Sequence, residues 1–427
     1  MTDLAKCKKQ ILNSLFKVCL DSRLVKHGEY FVAIKGENND GHKYIKDVLS
    51  KGSSGVLEDF ELFDLARFKL SHIKPLIIGV TGSTGKSSVT SLITQMLETK
   101  YSVCKGSLNT KLGLSVDTIN NMPLNCEVFI AEMGMDDLGQ IKEMTDMFKP
   151  HIAVITTINQ THAEKLGNIE NIVKAKAEIL ENMEHDDVAI LNKDNRYTRK
   201  IRRKFKGKVL WFGENPSAHY NLNSLDMSGF RLLGKLNKLN LLASIAVCEE
   251  AGMRENEIAN VIPKLTALKG RLNIIEGIND NVLIDDTYNS SPASSNFALD
   301  VLADFKGKRK RKIAILGDML ELGQFQKRYH IKLGEYVLKK KIDVLVTVGK
   351  LIEFTNKAVQ GHKIKTYHIS SSDMFDSEVI PKLEIKKGDV ILIKGSQGIR
   401  MEKITKVLMK RPKDAEKLLV RQDIGWK

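Results

Sequence analysis

The segment from Leu76 to Thr99 constrains the fold more strongly than any other part of the chain. The apolar run Leu76–Val80 predicts a buried strand, and five later apolar residues recur at the spacing of one helix face: Val89, Leu92, Ile93, Met96 and Leu97. The turn between them is rich in glycine and hydroxyl side chains: Thr81, Gly82, Ser83, Thr84, Gly85, Lys86, Ser87 and Ser88. Glycines allow a close approach of the backbone to an anion, and a helix N-terminus presents N–H groups to it. The segment therefore predicts a nucleoside-triphosphate site.

The turn departs from the strict Walker A spacing at one position. Val80 stands where that pattern requires glycine, and Gly79 lies one residue too early. An ordinary glycine-rich connection between a strand and a helix is the alternative interpretation. Lys86 followed directly by the hydroxyl of Ser87 favours the nucleotide site, because the lysine contacts phosphates and the hydroxyl can bind Mg²⁺.

The pattern of strands and helices predicts an α/β chain of three domains. Residues 1–74 predict a small α/β N-terminal module, with strands at Asp21–Val25 and Gly28–Ile34 and a linker at Ser71–Pro75. Residues 75–268 predict a central, doubly wound, P-loop-type ATPase domain. Strands and helices alternate again in residues 269–427, which predicts a C-terminal Rossmann-like domain.

Connections of helix length between the predicted strands indicate parallel sheets. In the central domain we expect strands at Val128–Met133, Ile152–Ile158, Val188–Leu191 and Val209–Phe212, and helices at Ile169–Met183 and Leu239–Glu250. In the third domain we expect strands at Val282–Asp285, Lys312–Leu316, Val344–Val348 and Val390–Ile393.

Composition excludes several classes of protein. The net charge of +15 suggests polyanionic ligands, but the basic residues are spread widely and the densest cluster, Lys306–Lys312, is typical of a loop before a strand. Aromatic residues make up only 6% of the chain, so stacking surfaces for nucleic acid are scarce. No apolar run is long enough to span a bilayer. The five cysteines have no metal-binding spacing, which favours a reducing, cytoplasmic location. We expect neither a nucleic-acid nor a membrane partner.

Polar residues follow several predicted strands, where α/β sheets bind their ligands. Glu132 and His162 could converge on the phosphates as Mg²⁺ ligands, and a capping glutamate with a loop histidine is the alternative. In the third domain, Asp285 and Asp286 lead into a polar turn that could bind ribose hydroxyls or an amine, although its serines could equally cap a helix. Two further loops follow neighbouring predicted strands: Gly317–Gly323 and Lys394–Gly398. His330, after the first of these loops, is expected at the start of a helix.

Five motifs together resemble the Mur ligase family, the ATP-dependent amino-acid or peptide ligases of bacterial cell-wall synthesis, over nearly the whole chain. The motifs are Asp21-Ser22-Arg23, Gly79–Ser88, Asp285–Asn289, Gly317–Gly323 and Lys394-Gly395-Ser396. The last three resemble the branch that adds D-alanyl-D-alanine to UDP-N-acetylmuramoyl-tripeptide (UDP-MurNAc-tripeptide). The resemblance implies that ATP forms an acyl phosphate on the tripeptide, with two Mg²⁺ ions, in a cytoplasmic monomer.

The resemblance also implies roles for individual residues. The catalytic residues would be Lys86, Glu132, His162 and Lys176. The Mg²⁺ ligands would be Ser87, Glu132, His162 and, if carbamylated, Lys176, which the residue pattern alone places on a helix surface. Asn237 and Asn240 would lie near adenine, Arg271 would contact phosphate and Asp286 ribose. Substrates would contact Asp21, Ser22, Arg23, Asn109, Asp285, Tyr288, Asn289 and Lys394.

Other functions remain open at this point. A Mur-type ligase that adds a diamino acid, or a ligase similar to folylpolyglutamate synthase, shares the nucleotide loop. More remote alternatives are a P-loop nucleotide-binding regulator and a basic nucleic-acid-binding protein, which salt-sensitive retention on polynucleotide would reveal. The third residue of the tripeptide, diaminopimelate or lysine, is not determined by the sequence.

Overall fold

The computed structural model describes residues 3–36, 39–159, 166–223, 227, 229–305 and 311–423. The described strands form three sheets of three, seven and six strands, which confirms the α/β class. The chain divides into two compact units. One comprises Met1–Ile158, Glu170–Asp226 and Leu242–Val261, and the other comprises Asn159–Ile169, Met227–Leu241 and Ile262–Lys427. The domain bounds at residues 74/75 and 268/269 stay predictions.

The smallest sheet belongs to the N-terminal module, in the first unit. Its three parallel strands are β1 (Val18–Cys19), β2 (Tyr30–Ala33) and β3 (Gly55–Glu58), in that order. The accompanying helices are α1 (Leu4–Leu12), α2 (Ile45–Ser50) and α3 (Asp59–Ile73). The core of the module lies around the buried residues Phe31, Ala33 and Val48.

Two predictions for this module are wrong. Asp21–Val25 forms a turn, and the first strand lies earlier, at Val18–Cys19. Ser71–Ile73 is the last turn of the 15-residue helix α3, so the linker shrinks to Lys74 and Pro75. The helix ends there because Lys74 adopts a left-handed conformation, with φ of 51°, and proline follows it.

The seven-stranded sheet is parallel throughout, as predicted, with the order β10-β9-β8-β7-β4-β6-β5. Its strands are β4 (Leu76–Thr81), β5 (Val103–Lys105), β6 (Val128–Glu132), β7 (Ile152–Ile155), β8 (Val188–Asn192), β9 (Lys208–Gly213) and β10 (Tyr220–Asn221). The helices that follow in this part of the chain are α4 (Lys86–Leu97), α5 (Lys111–Asn120), α6 (Gln140–Phe148), α7 (Ile169–Ala177), α8 (Arg196–Ile201), α9 (Gly234–Glu250) and α10 (Glu255–Val261). The strand order reverses beside β4, and ligands of such sheets bind at that point, outside the carboxyl ends of the strands.

The six-stranded sheet of the second unit has the order β11-β12-β16-β13-β14-β15. Its strands are β11 (Asn273–Glu276), β12 (Val282–Asp286), β13 (Lys312–Gly317), β14 (Val344–Val348), β15 (Lys365–Ile369) and β16 (Val390–Lys394). Its helices are α11 (Pro292–Asp304), α12 (Gln326–Lys339), α13 (Glu353–Val359), α14 (Phe375–Glu378), α15 (Ile380–Leu383), α16 (Glu402–Leu408) and α17 (Ala415–Leu418).

The expectation of a wholly parallel third sheet is wrong at one edge. β11 pairs with β12 in antiparallel fashion, while the other pairs are parallel. Only residues 277–281 separate these two strands, and a connection this short permits a hairpin but no parallel crossover. Apolar side chains pack against both faces of the sheet and form two buried clusters. Among the described residues, no helix has both the length and the apolar character needed to cross a bilayer.

Candidate functional site

The predicted phosphate loop joins β4 to α4 and contains two glycines with positive φ. The φ angle is 144° at Gly82 and 94° at Gly85. A Cβ atom at Gly82 would lie 1.9 Å from Oγ1 of Thr156, so no other residue fits there without displacing the neighbouring loop. Glycine is thus required at this position both by backbone conformation and by space.

Residues after β7 hold the phosphate loop in place. The hydroxyl of Thr156 donates a hydrogen bond to the backbone oxygen of Thr84 at 2.7 Å, and the N–H of Ser83 donates to the oxygen of Thr157 at 2.6 Å. The loop is therefore supported from the neighbouring strand before any ligand binds, which lowers the entropic cost of binding.

Lys86 is the first residue of α4, and its ammonium lies over the loop. Its Nζ donates to the backbone oxygen of Gly82 at 3.0 Å. The side chains of Ser87 and Ser88, in the same helical turn, are half-buried. Because the first N–H groups of a helix lack intrahelical acceptors, this end of α4 can bind an anion with the help of the lysine.

Glu132 and Lys176 lie near this loop, in the first unit. Glu132 ends β6 at the position that pairs with Val80 of β4. Lys176 of α7 is only 2% exposed, so the surface position expected from the residue pattern is wrong. Burial holds the pKa of Lys176 well below its ordinary value; the charge of Lys86 adds to this shift and Glu132 opposes it. A neutral amine is the form that reacts with CO₂ to give a carbamate.

The donors near the loop suit a hard cation. The hydroxyl of Ser87 and the carboxylate of Glu132 supply oxygen, which Mg²⁺ prefers, and Mg²⁺ commonly takes only one or two protein ligands beside phosphates and water. Within the described residues, no group of three histidine, cysteine or acidic side chains is arranged as a metal site. His162, the other predicted ligand, lies outside the described residues.

Replacing Lys176 by methionine tests its role in this site. We expect activity to fall at least about 100-fold if the lysine supplies a metal-bridging carbamate, while the melting temperature stays the same or rises because a buried amine is removed. The control is Lys174→Met, at an exposed position on the same helix. Equal activities of the two variants, or no carbamate carbon signal from the wild type in ¹³C-bicarbonate, would contradict this role.

Glu178 follows Lys176 closely and has a structural task. Its carboxylate accepts hydrogen bonds from the N–H of Gly139 at 2.8 Å and of Lys142 at 3.1 Å, and it thereby caps α6.

Asn109, predicted to contact substrate, accepts a hydrogen bond from the N–H of Gly134 through its backbone oxygen at 3.0 Å. Asn109 is exposed, just beyond the carboxyl end of β6.

The residues predicted to bind the UDP-linked substrate in the N-terminal module lie in one turn. The guanidinium of Arg23 binds the carboxylate of Asp21 at 2.6 Å, and Ser22 lies between them. Hydrogen bonds from Arg23 lower the pKa of Asp21 to about 2. The turn therefore carries a compact, solvent-accessible ion pair at neutral pH.

In the second unit, the carboxyl ends of β12 and β16 bring two predicted residues together. Nζ of Lys394 binds Oδ2 of Asp286 at 2.6 Å, and the backbone N–H of Leu272 donates to Oδ1 of Asp286 at 3.3 Å. The side chains of this pair are 1% and 8% exposed. The two charges compensate each other away from water.

Asp285, the residue before Asp286 in β12, is fully buried. Its Oδ1 accepts hydrogen bonds from the hydroxyls of Thr287 and Thr405, both at 2.9 Å, whereas Oδ2 has no hydrogen-bond partner among the described residues. Burial raises the pKa of Asp285 to about 7. Its observed contacts support the turn after β12, and its contact with substrate stays a prediction.

Tyr288 and Asn289 are the exposed residues of that turn. The guanidinium of Arg271 stacks on the ring of Tyr288, with 4.2 Å between its Cζ atom and the ring centroid.

Asn237 and Asn240, predicted to lie near adenine, are buried on α9. Nδ2 of Asn237 donates to the backbone oxygen of Leu233 at 2.9 Å. Ser291 caps α11, so the capping interpretation holds for this serine.

His330 lies inside α12, fully buried, and the prediction that it starts a helix is wrong. Its Nδ1 donates to the backbone oxygen of Gln326 at 2.7 Å, and its Nε2 accepts from the N–H of Met319 at 3.1 Å. These partners require a neutral imidazole. Burial lowers the pKa of His330, although the oxygen of Gln326 and the charge of Asp318 oppose the shift.

Stability should accordingly depend on pH through His330. The unfolded imidazole binds a proton more readily than the folded one, so the unfolded state gains protons first as the pH falls below about 6.5. We expect the contribution of His330 to the free energy of unfolding to decrease from pH 7 towards pH 5, by at most about 1.4 kcal/mol per pH unit. Asp285, with its raised pKa of about 7, contributes with the opposite sign over this range, equally in every variant. His330→Gln should remove this contribution of His330 relative to the wild type, whereas His185→Gln, at a side chain that is 87% exposed, should leave the pH dependence unchanged. If the free energy of unfolding depended on pH in the same way in both variants, His330 would not be the source of this pH dependence.

Two residues that support the turn after β12, one directly and one through the other, had no signal in the sequence. Arg421 contacts the backbone of Thr287 and Tyr288, and Glu402 binds Arg421. Neither lies in a motif or directly after a strand, and Arg421 follows the turn by more than 130 positions. Only the folded chain shows that they belong to this site.

Comparison with known proteins shows which family the chain resembles. Residues 80–248 match the model of the Mur ligase middle domain, and residues 270–397 match the model described as the Mur ligase, glutamate ligase domain. A UDP-N-acetylmuramoyl-tripeptide–D-alanyl-D-alanine ligase of Bacillus subtilis (strain 168) is 31% identical, covering 92% of this chain and 93% of the relative. The protein of the same name in Escherichia coli (strain K12) is 26% identical over 92% of this chain and 94% of its own.

A solved structure resembles the chain over its whole length. It is the MurF ligase from Thermotoga maritima in complex with ADP, with a TM-score of 0.81, 26% identity, and coverage of 98% of this chain and 100% of that one. The likeness extends through all three sheets, in agreement with the three-domain α/β architecture.

Proposed function

The chain belongs to the Mur ligase family, and from this we propose that it joins D-alanyl-D-alanine to UDP-MurNAc-tripeptide at the expense of ATP. The product is UDP-N-acetylmuramoyl-pentapeptide, for peptidoglycan synthesis. The observation that carries this proposal is the likeness to ligases of that name over 92% of the chain, at 31% identity. The likeness to an ADP complex supports ATP as the nucleotide.

The geometry of the first unit supports the phosphoryl-transfer step. The terminal carboxylate of the tripeptide attacks the γ-phosphorus of ATP in line, and the bond to the bridging oxygen breaks to release ADP. Lys86 and the N–H groups at the start of α4 stabilise the charge on the phosphoryl oxygens. Mg²⁺ would be held by Ser87, Glu132 and a carbamate on Lys176, and it would neutralise phosphate charge when bound.

The second unit supports the step that forms the amide. The amine nitrogen of D-alanyl-D-alanine attacks the acyl carbon, the bond from that carbon to the phosphate oxygen breaks, and inorganic phosphate and a proton leave. The exposed side chains of Tyr288 and Asn289 are the groups that we assign to the dipeptide. Arg271 and Asp286 would contact the nucleotide.

The free thiols fit the proposed setting. All five cysteines are unpaired, as expected in a reducing compartment, and we propose that the enzyme acts in the cytoplasm on small-molecule substrates. A monomeric state stays a prediction.

Phosphate release by the purified protein tests the proposal. Reactions contain Mg²⁺, ATP and UDP-MurNAc-tripeptide with diaminopimelate or lysine as third residue, with and without D-alanyl-D-alanine. We expect release only with the dipeptide, and a UDP-linked pentapeptide by mass spectrometry. Absence of dipeptide-dependent release with both tripeptides, from protein that binds ATP, would overturn this function. Release with a diamino acid as amine donor would instead indicate the neighbouring branch of the family.

A further inference from the structure

The turn formed by Thr287, Tyr288 and Asn289, here called the Thr287–Asn289 turn, is held by cations at three successive carbonyl groups. Nη1 of Arg421 donates to the oxygen of Thr287 at 3.0 Å, and Nη2 of Arg421 donates to the oxygen of Tyr288. Nζ of Lys394 donates to the oxygen of Asn289 at 2.9 Å. Every carbonyl of the turn is therefore directed towards a positive charge.

Each of these cations is paired with a buried carboxylate. Nη1 of Arg421 binds Oε2 of Glu402 at 3.0 Å, and the two side chains are 5% and 0% exposed. Lys394 is paired with Asp286 in the same manner. Hydrogen bonds from charged donors are stronger than neutral ones, and low solvent access strengthens them further. The two buried pairs thus fix the backbone of the turn from the inside.

With its carbonyls directed inward, the turn presents the side chains of Tyr288 and Asn289 outward, while that of Thr287 is buried. Tyr288 is 43% exposed, and Asn289 is exposed as well. The ring of Tyr288 also lies near two guanidinium groups, with the Cζ atom of Arg271 at 4.2 Å and that of Arg421 at 5.9 Å from its centroid. Cation–π attraction of this kind restricts the orientation of the ring. Arg421 therefore acts on both the backbone and the side chain of Tyr288.

We propose that Arg421, paired with Glu402, is a positioning residue that holds the Thr287–Asn289 turn in the conformation that binds the amine substrate. This inference rests on the proposed function, because it takes the dipeptide as the ligand of the turn. In this role Arg421 itself contacts no substrate. Lysine is a poor replacement, because the guanidinium reaches the two carbonyl oxygens and the carboxylate from two separate nitrogen atoms, Nη1 and Nη2, whereas an ammonium offers a single nitrogen.

Steady-state kinetics of Arg421→Lys and Arg421→Ala test the proposal, with each substrate varied in turn. We expect the KM for D-alanyl-D-alanine to rise at least about tenfold in both variants, and the KM values for ATP and UDP-MurNAc-tripeptide to change less than about threefold. Asp286, the predicted ribose contact, is held by Lys394 and Leu272 without Arg421. A merely structural loss would instead lower the active fraction and kcat at unchanged KM, and that result would overturn the proposal.

Arg311→Lys is the matched control, because Arg311 makes the same kind of contacts at the opposite end of the sheet. Its guanidinium binds Asp389 at 2.6 Å and the backbone oxygen of Glu384 at 2.8 Å. We expect all three KM values to be unchanged in this variant. An equal rise of the dipeptide KM in Arg311→Lys would overturn the specific role of Arg421.

Hydrogen exchange separates failure of this inference from failure of the proposed function. In wild-type protein the N–H of Tyr288 donates to the oxygen of Gly270 at 3.1 Å. We expect faster exchange in the peptide around Tyr288 for Arg421→Lys than for Arg311→Lys, whatever amine the enzyme uses. Unchanged exchange in Arg421→Lys would overturn the positioning role even if the ligase reaction is confirmed.

Discussion

Replacement of Lys86 by methionine is expected to lower the rate of ATP-dependent phosphate release by about 10³-fold or more. The ammonium of Lys86 lies over the phosphate loop, with Nζ 3.0 Å from the backbone oxygen of Gly82. In the proposed reaction it would stabilise charge that spreads over the phosphoryl oxygens, and methionine keeps the length of the side chain without its charge. The loss should therefore appear in kcat, while the fold is retained.

Lys100→Met is the control for this experiment. Lys100 lies just beyond the opposite end of α4 and binds Glu257 at 3.0 Å, away from the loop. Its replacement should leave phosphate release unchanged. Circular dichroism and the melting temperature report on folding in both variants. A decrease of less than tenfold in a well-folded Lys86→Met protein would exclude Lys86 from the transfer step.

Replacement of Lys394 by methionine is expected to destabilise the protein by about 3–5 kcal/mol. Asp286 would then keep a buried charge whose partner, at 2.6 Å, is gone, and the backbone oxygen of Asn289 would lose its donor. A buried carboxylate that has lost its cation and keeps only the N–H of Leu272 as donor carries a large desolvation cost, which hydrophobic contacts of methionine do not offset. Urea unfolding measures the change as a shift of the transition midpoint.

An exposed pair with the same separation serves as the comparison. Lys410 binds Glu276 at 2.6 Å, but these side chains are 48% and 54% exposed. Water replaces the lost partner there, so Lys410→Met should change the midpoint very little. The double variant Asp286→Asn/Lys394→Met should be more stable than Lys394→Met, because the orphaned charge is removed. If Lys394→Met and Lys410→Met lower the free energy of unfolding by the same amount, burial does not determine the contribution of the Lys394–Asp286 pair to stability.

Local pattern was sufficient for the central features of the fold. The apolar run of β4, the glycines of the loop and the helical spacing of α4 lie within about twenty consecutive residues, and each reflects a local requirement of backbone conformation or burial. The predicted core strands of both large sheets were found for the same reason. The antiparallel β11 was missed, since a strand at a sheet edge has a weaker apolar pattern.

Burial of individual polar side chains was not predictable from that pattern. The sequence predicted Lys176 on a helix surface and His330 at the start of a helix, yet packing places both side chains in the interior. The resemblance to a family indicated the importance of Lys176 but not its environment. The environment matters, because desolvation by neighbouring elements is what shifts the pKa of each group.

The sequence by itself determined the α/β class, the glycine-rich loop between β4 and α4, and the strand ends that carry Glu132, Asp286 and Lys394. These features depend on residues close together in the chain, whose spacing matches the period of a strand or a helix. Only the tertiary structure decided that Lys394 pairs with Asp286, 108 positions earlier, and that Arg421 reaches the Thr287–Asn289 turn. Such contacts depend on how strands are ordered and helices packed, and no local period encodes which distant charges then meet.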